Sequence, residues 1–173
     1  MKKVIIIGTV HAGSTPNKEL KKVLEKYKPD KILVEIAQTD IRNKKIKSYP
    51  SEMQFTYNWA KKVKIKVNGF DSEINVFAKG KTEKDNQKAI KEQEKILRKF
   101  TWQDMNKEKN LKLLDIPSAM TLVDKKKAKK REIEMLKNVK KEILPKGKTV
   151  IVTGAGHLSF FKKHIKNAIF PFR

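Results

Sequence analysis

The sequence contains no cysteine, so it can form neither disulfides nor thiolate metal sites. Any bound metal would have to use imidazole and oxygen ligands. Arginine is nearly absent too, occurring only at positions 42, 98, 131 and 173. Acidic residues number 19 against 42 lysines and arginines, which leaves a net charge of +23 carried almost entirely by lysine. No apolar run approaches the ~20 residues of a membrane-spanning helix. Met1-Lys2-Lys3 and the short run behind it lack the length and cleavage site of a secretory signal, so a cytoplasmic location is the expectation.

What is present is distinctly clustered. Apolar residues make up 38% of the 173 positions, but they fall into short runs rather than scattering, which argues for a folded core. The length suits one α/β domain spanning 1–173. The lysines are spread along the whole chain and lack the arginine forks and interleaved aromatics of nucleic-acid sites. They read first as a solvated surface, with a polyanion partner, nucleic acid or an anionic membrane surface, as the alternative.

Two of the three histidines occur in matching contexts. Val4-Ile5-Ile6-Ile7 runs into Gly8-Thr9-Val10-His11, and Val150-Ile151-Val152 runs into Thr153-Gly154-Ala155-Gly156-His157. Each reads as a buried strand that ends in glycine and then presents an imidazole. Two further strands are predicted, Lys31–Ile36 and Lys64–Phe70, with Asp71 at the end of the second. Ser14 or Thr15 followed by Pro16 should start a helix whose apolar face is Leu20, Val23, Leu24 and Tyr27. Pro50-Ser51 starts another, with Met53, Tyr57, Ala60 and Val63 inward. The segment 73–123 reads as mainly helical: a charged helix over 84–100 with Ile90, Leu97 and Phe100 inward, then one over 102–114 ended by Pro117. A last long helix spans about 124–143, with Ile133, Leu136, Val139 or Lys140, and Ile143 inward, and a short one carries Leu158, Phe161 and Ile165. The pattern predicts a mainly parallel sheet of about four strands flanked by long helices.

Parallel sheets place their sites at the carboxyl ends of their strands. There the four strands would present Gly8 and His11, Glu35, Asp71, and Gly154, Gly156 and His157. Neighbouring strands lie about 4.8 Å apart, so two imidazoles and two carboxylates can share a metal or a water. Glu35 stands out because an unpaired carboxylate in an apolar strand is costly. The glycines are expected to supply sharp turns through positive φ, and the amides after them, including that of Thr9, to face an anionic group at a helix start.

The stretch Ile6-Ile7-Gly8-Thr9-Val10-His11 through Lys28-Pro29-Asp30 to Leu33-Val34-Glu35, together with Gly154-Ala155-Gly156-His157-Leu158, resembles the TraB/PrgY family. That family is related to the Tiki proteins and, more distantly, to the EreA/ChaN-like group. Arg131-Glu132-Ile133-Glu134-Met135 is similar to the family's arginine–acid pair on its last long helix. Lys130 stands where the family often has an acid, and Ile36-Ala37 lacks the acidic residue common after the glutamate.

The resemblance implies an EreA/ChaN-like fold and a single cleft holding both Gly-x-x-His motifs. It also implies metal-dependent peptidase chemistry using Mn or Co, with Zn as a further candidate for an imidazole–oxygen site. Carried over, His11, Glu35 and His157 form the site, with Arg131 and Glu132 beside it. In a hydrolase, Glu35 would be either the third metal ligand or the general base, and Arg131 would stabilise developing negative charge. The alternatives are a non-catalytic protein binding a small anionic ligand, haem or a signalling peptide, and a polyanion binder whose affinity falls steeply with salt. A homodimer is compatible with the apolar helix faces.

Overall fold

A computed structural model describes residues 1–11 and 14–172, apart from the side chain of Leu114. The apolar runs form β1 (Lys2–Thr9), β2 (Lys31–Ala37), β3 (Lys66–Asp71) and β4 (Gly147–Gly154). All pair in parallel, in the order β1-β4-β2-β3. The last strand therefore lies between the first two, and its tip is flanked by theirs. A parallel sheet covered on both faces reads as continuous apolar sequence. Accordingly Val4–Ile7, Ile32–Val34 and Val150–Val152 are all buried.

Between the strands lie α1 (Asn17–Tyr27), α2 (Gln38–Arg42), α3 (Ser51–Lys62), α4 (Glu83–Leu97), α5 (Glu108–Leu111), α6 (Pro117–Leu122) and α7 (Lys125–Glu142), with α8 (Leu158–His164) after β4. α1 packs beside α3, and α3 covers β2, β3 and β4. α7 contacts β3 and α8. Leu20 and Leu24 of α1, Met53 and Ala60 of α3, and Leu158 and Phe161 of α8 are fully buried, as their spacing implies.

Several details depart from the sequence reading. Thr15 does not cap α1. Its hydroxyl accepts from Val10 N (2.7 Å) and donates to Val10 O (3.0 Å), closing the turn beyond β1, and Pro16 takes the cap position. Val63 is exposed because α3 stops at Lys62 and Lys64 turns left-handed (φ 58°). Ile133 points outward, whereas Met135 and Val139 are buried. The reason is geometric: Arg131 faces the sheet edge, and 135, 139 and 142 follow it at helical spacing.

The segment 102–114 is not one helix but two 3₁₀ turns around α5. The Asp104 carboxylate accepts from both Thr101 N and Thr101 Oγ1, and its carbonyl accepts from Asn110, so local side-chain bonds compete with the helix ladder. Pro117 opens α6 rather than ending a helix, the position where its missing N–H is harmless.

One irregularity shapes the site. Val34 pairs with Gly69 and Ala37 with Asp71, so Glu35 and Ile36 together oppose Phe70. This is a bulge, which bends a strand and re-aims a side chain. Gly69 makes it fit: a Cβ there would lie 2.2 Å from the Ile36 carbonyl oxygen. Gly69→Ala should therefore destabilise the fold by roughly 1–3 kcal/mol, measured by urea unfolding, and weaken whatever Glu35 holds. Unchanged stability would mean that the strands can slide apart here without loss.

Candidate active site

The parallel sheet brings its carboxyl ends to one edge, where Thr9 pairs in register with Gly154. His11 lies just beyond β1. His157 ends a 3₁₀ turn, Ala155–His157, that leads directly into α8. Glu35 is buried between them, 6% exposed.

Glu35 is held from several sides. Its Oε2 accepts from Thr153 Oγ1 (2.5 Å) and Gly154 N (2.7 Å). Its Oε1 accepts from Arg131 Nη2 (3.0 Å) and lies 3.5 Å from His157 Nε2. Arg131 in turn donates from Nε and Nη2 to the two oxygens of Asp71, at 2.9 and 2.8 Å.

Both imidazoles are oriented by a carboxylate at Nδ1. His11 Nδ1 lies 2.6 Å from Glu52 Oε1, and His157 Nδ1 lies 3.0 Å from Glu132 Oε1. The His11 Nε2 is thereby turned toward the space over Gly154 and the His157 Nε2 toward Glu35. A Cβ on Gly154 would stand 3.2 Å from His11 Nε2 and 3.6 Å from Glu35 Oε2. Glycine is needed at that tip for room, not for positive φ: its φ is −58°. Among the described glycines, positive φ occurs at Gly80 and Gly147, away from both motifs. The Gly154 amide donates to Glu35.

The charges reinforce one another. Burial pushes the Glu35 carboxyl up, but His157, Arg131 and His11 outweigh it and hold it far below the usual carboxylate range. Burial pushes His157 down, yet the Glu35 charge and the Glu132 contact raise it to about 9. His11 is raised as well: desolvation opposes this, and the bond to Glu52 and the charge of Glu35 prevail. Asp71 is raised by burial and by the like charge of Glu35, against the bonds from Arg131. Arg131 stays protonated because Asp71 and Glu35 more than offset its burial.

Of the residues singled out in the sequence, His11, Glu35, Arg131, Glu132, Gly154 and His157 come together. Thr9, Gly154, Gly156, His11 and His157 border a cleft of about 730 Å³ whose far wall is α4, with Ile90 and Leu97 among its lining. Gly8 lies outside that lining. Its N–H donates to Asn106 Oδ1 and its carbonyl accepts from Asn106 Nδ2, both at 2.9 Å, and a Cβ there would strike Leu158. Asp71 sits behind Arg131 and borders a separate cleft of about 520 Å³.

Three contributors had no individual signal in the sequence. Glu52 reads as an ordinary acid in a helix's first turn, but it is fully buried against His11. Thr153 reads as strand, and its hydroxyl serves Glu35. Asn106 lies in the segment 102–114, where nothing in the sequence marks it against its neighbours.

A divalent ion fits the donor chemistry in part. Among the described residues, no three His, Asp or Glu side chains already enclose a metal position. Yet metal-ligating histidines characteristically have the second ring nitrogen fixed by a carboxylate or carbonyl, and both imidazoles here are fixed in that way. The 3.5 Å between His157 Nε2 and Glu35 Oε1 is long for a hydrogen bond. It is close to the ~3.4 Å separating two ligand atoms bound about 2.1 Å from one tetrahedral ion.

A pH dependence follows. His157 changes from an ordinary 6.5 to about 9 on folding. A raised pKa contributes stability that is complete below 6.5 and is lost as pH rises through about 9. The metal-free protein should therefore lose on the order of 2–3 kcal/mol of unfolding free energy across that window. His157→Gln should remove most of the slope in urea titrations at successive pH values. Equal slopes in the two proteins would contradict the raised pKa.

Compared with models of known protein families, with curated proteins and with solved structures, the chain finds no match in any of the three.

Proposed function

We propose that the protein is a metal-dependent hydrolase of the TraB/Tiki type, acting on a peptide or other amide bond. His11, Glu35 and His157 would be the protein ligands of a divalent Mn, Co or Zn ion. The observation that carries this reading is the pair of carboxylate-fixed imidazoles whose Nε2 atoms turn toward one buried glutamate. The sequence resemblance at both Gly-x-x-His motifs supports it.

A bound divalent ion would acidify a water and polarise a substrate carbonyl. The side chains divide the remaining work. Glu35 acts as ligand and counter-charge, its carboxylate already held by Thr153, Gly154 and Arg131. Arg131, anchored by Asp71, holds the Glu35 carboxylate in place. Glu52 and Glu132 fix the tautomers of the two histidines. His157 must give up its proton to ligate, so loading releases protons and strengthens as pH rises toward 9. The cleft under α4, where Ile90 and Leu97 stand among the polar side chains of Asn86, Gln87 and Glu94, offers substrate a concave place beside the two histidines.

Calorimetric titration with Mn, Co and Zn tests the assignment. The expected result is one ion per chain, lost in the His11→Ala, His157→Ala double variant and weakened about 10- to 100-fold in Glu132→Gln or Glu52→Gln. Amide hydrolysis should appear only with the loaded protein. Failure of the wild type to bind any of the three metals would overturn the reading.

A further inference from the structure

The opposite end of the molecule carries a feature that the cleft does not explain. In a parallel sheet every strand starts at one pole, and the helices feeding β2, β3 and β4 end there. The four starts are nearly level: Lys2 pairs with Gly147, and Lys31 pairs with both Thr149 and Lys66. Strand starts bring Lys2, Lys3, Lys66 and Lys148 to this pole. Helix ends and the turns after them add Lys26 and Lys28, Lys61 and Lys64, and Lys140 and Lys146. All ten are exposed except Lys148, which is half-buried. The topology thus sets ten of the chain's lysines side by side on one level face.

Helix dipoles account for only part of this. Basic residues in the last turn complement the partial negative charge of a helix end, but strand starts have no such charge. Lys3 nevertheless stands beside Lys148 in register, and Lys31 beside Lys66. Lys28 and Lys64 occupy left-handed positions, φ 46° and 58°, where glycine is favoured.

The acids at this end are already engaged. Glu142 accepts from Lys31 and Asn68, Asp30 accepts from the Lys148 amide, and Glu25 pairs with Lys21. The result is a level, strongly cationic face with Met1 and Val63 exposed among the lysines.

We infer that this lysine-rich pole, formed by the strand starts and helix ends, docks on an anionic membrane surface. Clustered lysines with a few apolar side chains suit a flat layer of acidic headgroups. Duplex or single-stranded nucleic acid would favour arginine forks and stacking aromatics. No described helix is long and apolar enough to cross a membrane, so the contact would be peripheral. Docked this way, the cleft at the other end of the sheet faces away from the bilayer.

Vesicle co-sedimentation of the full chain tests this. The protein should bind phosphatidylcholine vesicles containing phosphatidylserine, ignore pure phosphatidylcholine, and be released by raising the salt. Changing Lys2, Lys64, Lys66 and Lys146 to Gln should weaken binding by on the order of fivefold per lysine. Changing Lys125, Lys126, Lys129 and Lys130 at the other end of α7 is the matched control and should have much less effect. Circular dichroism establishes that both variants are folded, and the lipid and salt comparisons on the wild type need no variant. Equal loss in both variants, equal binding to neutral vesicles, or tighter pole-dependent binding to duplex DNA at the same salt would overturn the proposal.

Discussion

The buried charge of Glu35 is the constraint on which the rest of the site depends. A carboxylate in the interior of a parallel sheet is tolerated only if its lone pairs and its charge are answered. Here Thr153 and Gly154 of the neighbouring strand take one oxygen, and Arg131 takes the other. Those partners draw in a second layer. Arg131 needs Asp71 to hold its fork, and His157, kept cationic by Glu35, is met by Glu132 on its far nitrogen. The arrangement links the tips of three strands and one face of α7. It does so through interactions whose strength depends on exclusion of water.

The sheet order makes this possible. Because β4 lies between β1 and β2, the second Gly-x-x-His motif is delivered beside the first and directly against Glu35. The bulge at Glu35 and Ile36, accommodated by Gly69, sets how the carboxylate enters that space. The same parallel arrangement brings the site's carboxylates and imidazoles to the strand ends and sets a level group of lysines at the strand starts. One topological fact thus generates both a candidate reaction site and a candidate docking face, pointed in opposite directions.

Much of this was legible in the sequence, for identifiable reasons. Strands buried on both faces announce themselves as apolar runs, which made β1, β2 and β4 visible; β3, a partly buried edge strand, was marked only by the alternating Ile65 and Val67 ahead of Gly69-Phe70. Glu35 was conspicuous because it interrupts such a run, and the two histidines because their contexts repeat. Other features depend on partners distant in the chain. Glu52 resembles any first-turn acid until His11, 41 positions away, is brought to it. Asn106 gains its role only by clamping Gly8. On α7 apolar counting placed Val139, Leu136 and Ile143 correctly but turned Ile133 inward, where the charged Arg131 and the Met135 that follows it define the buried face. The glycines were identified as important for the wrong physical reason, since Gly154 supplies room rather than an unusual backbone angle.

The central claim is that the Glu35 charge keeps His157 protonated and, behind the bond from Glu52, helps raise His11. NMR titration of His11 and His157 in the metal-free protein, wild type against Glu35→Gln, tests it most directly. The account predicts that both histidines titrate at lower pH in the variant, with His157 falling furthest from its value of about 9. Unchanged titration of both histidines in a folded Glu35→Gln protein would contradict the account.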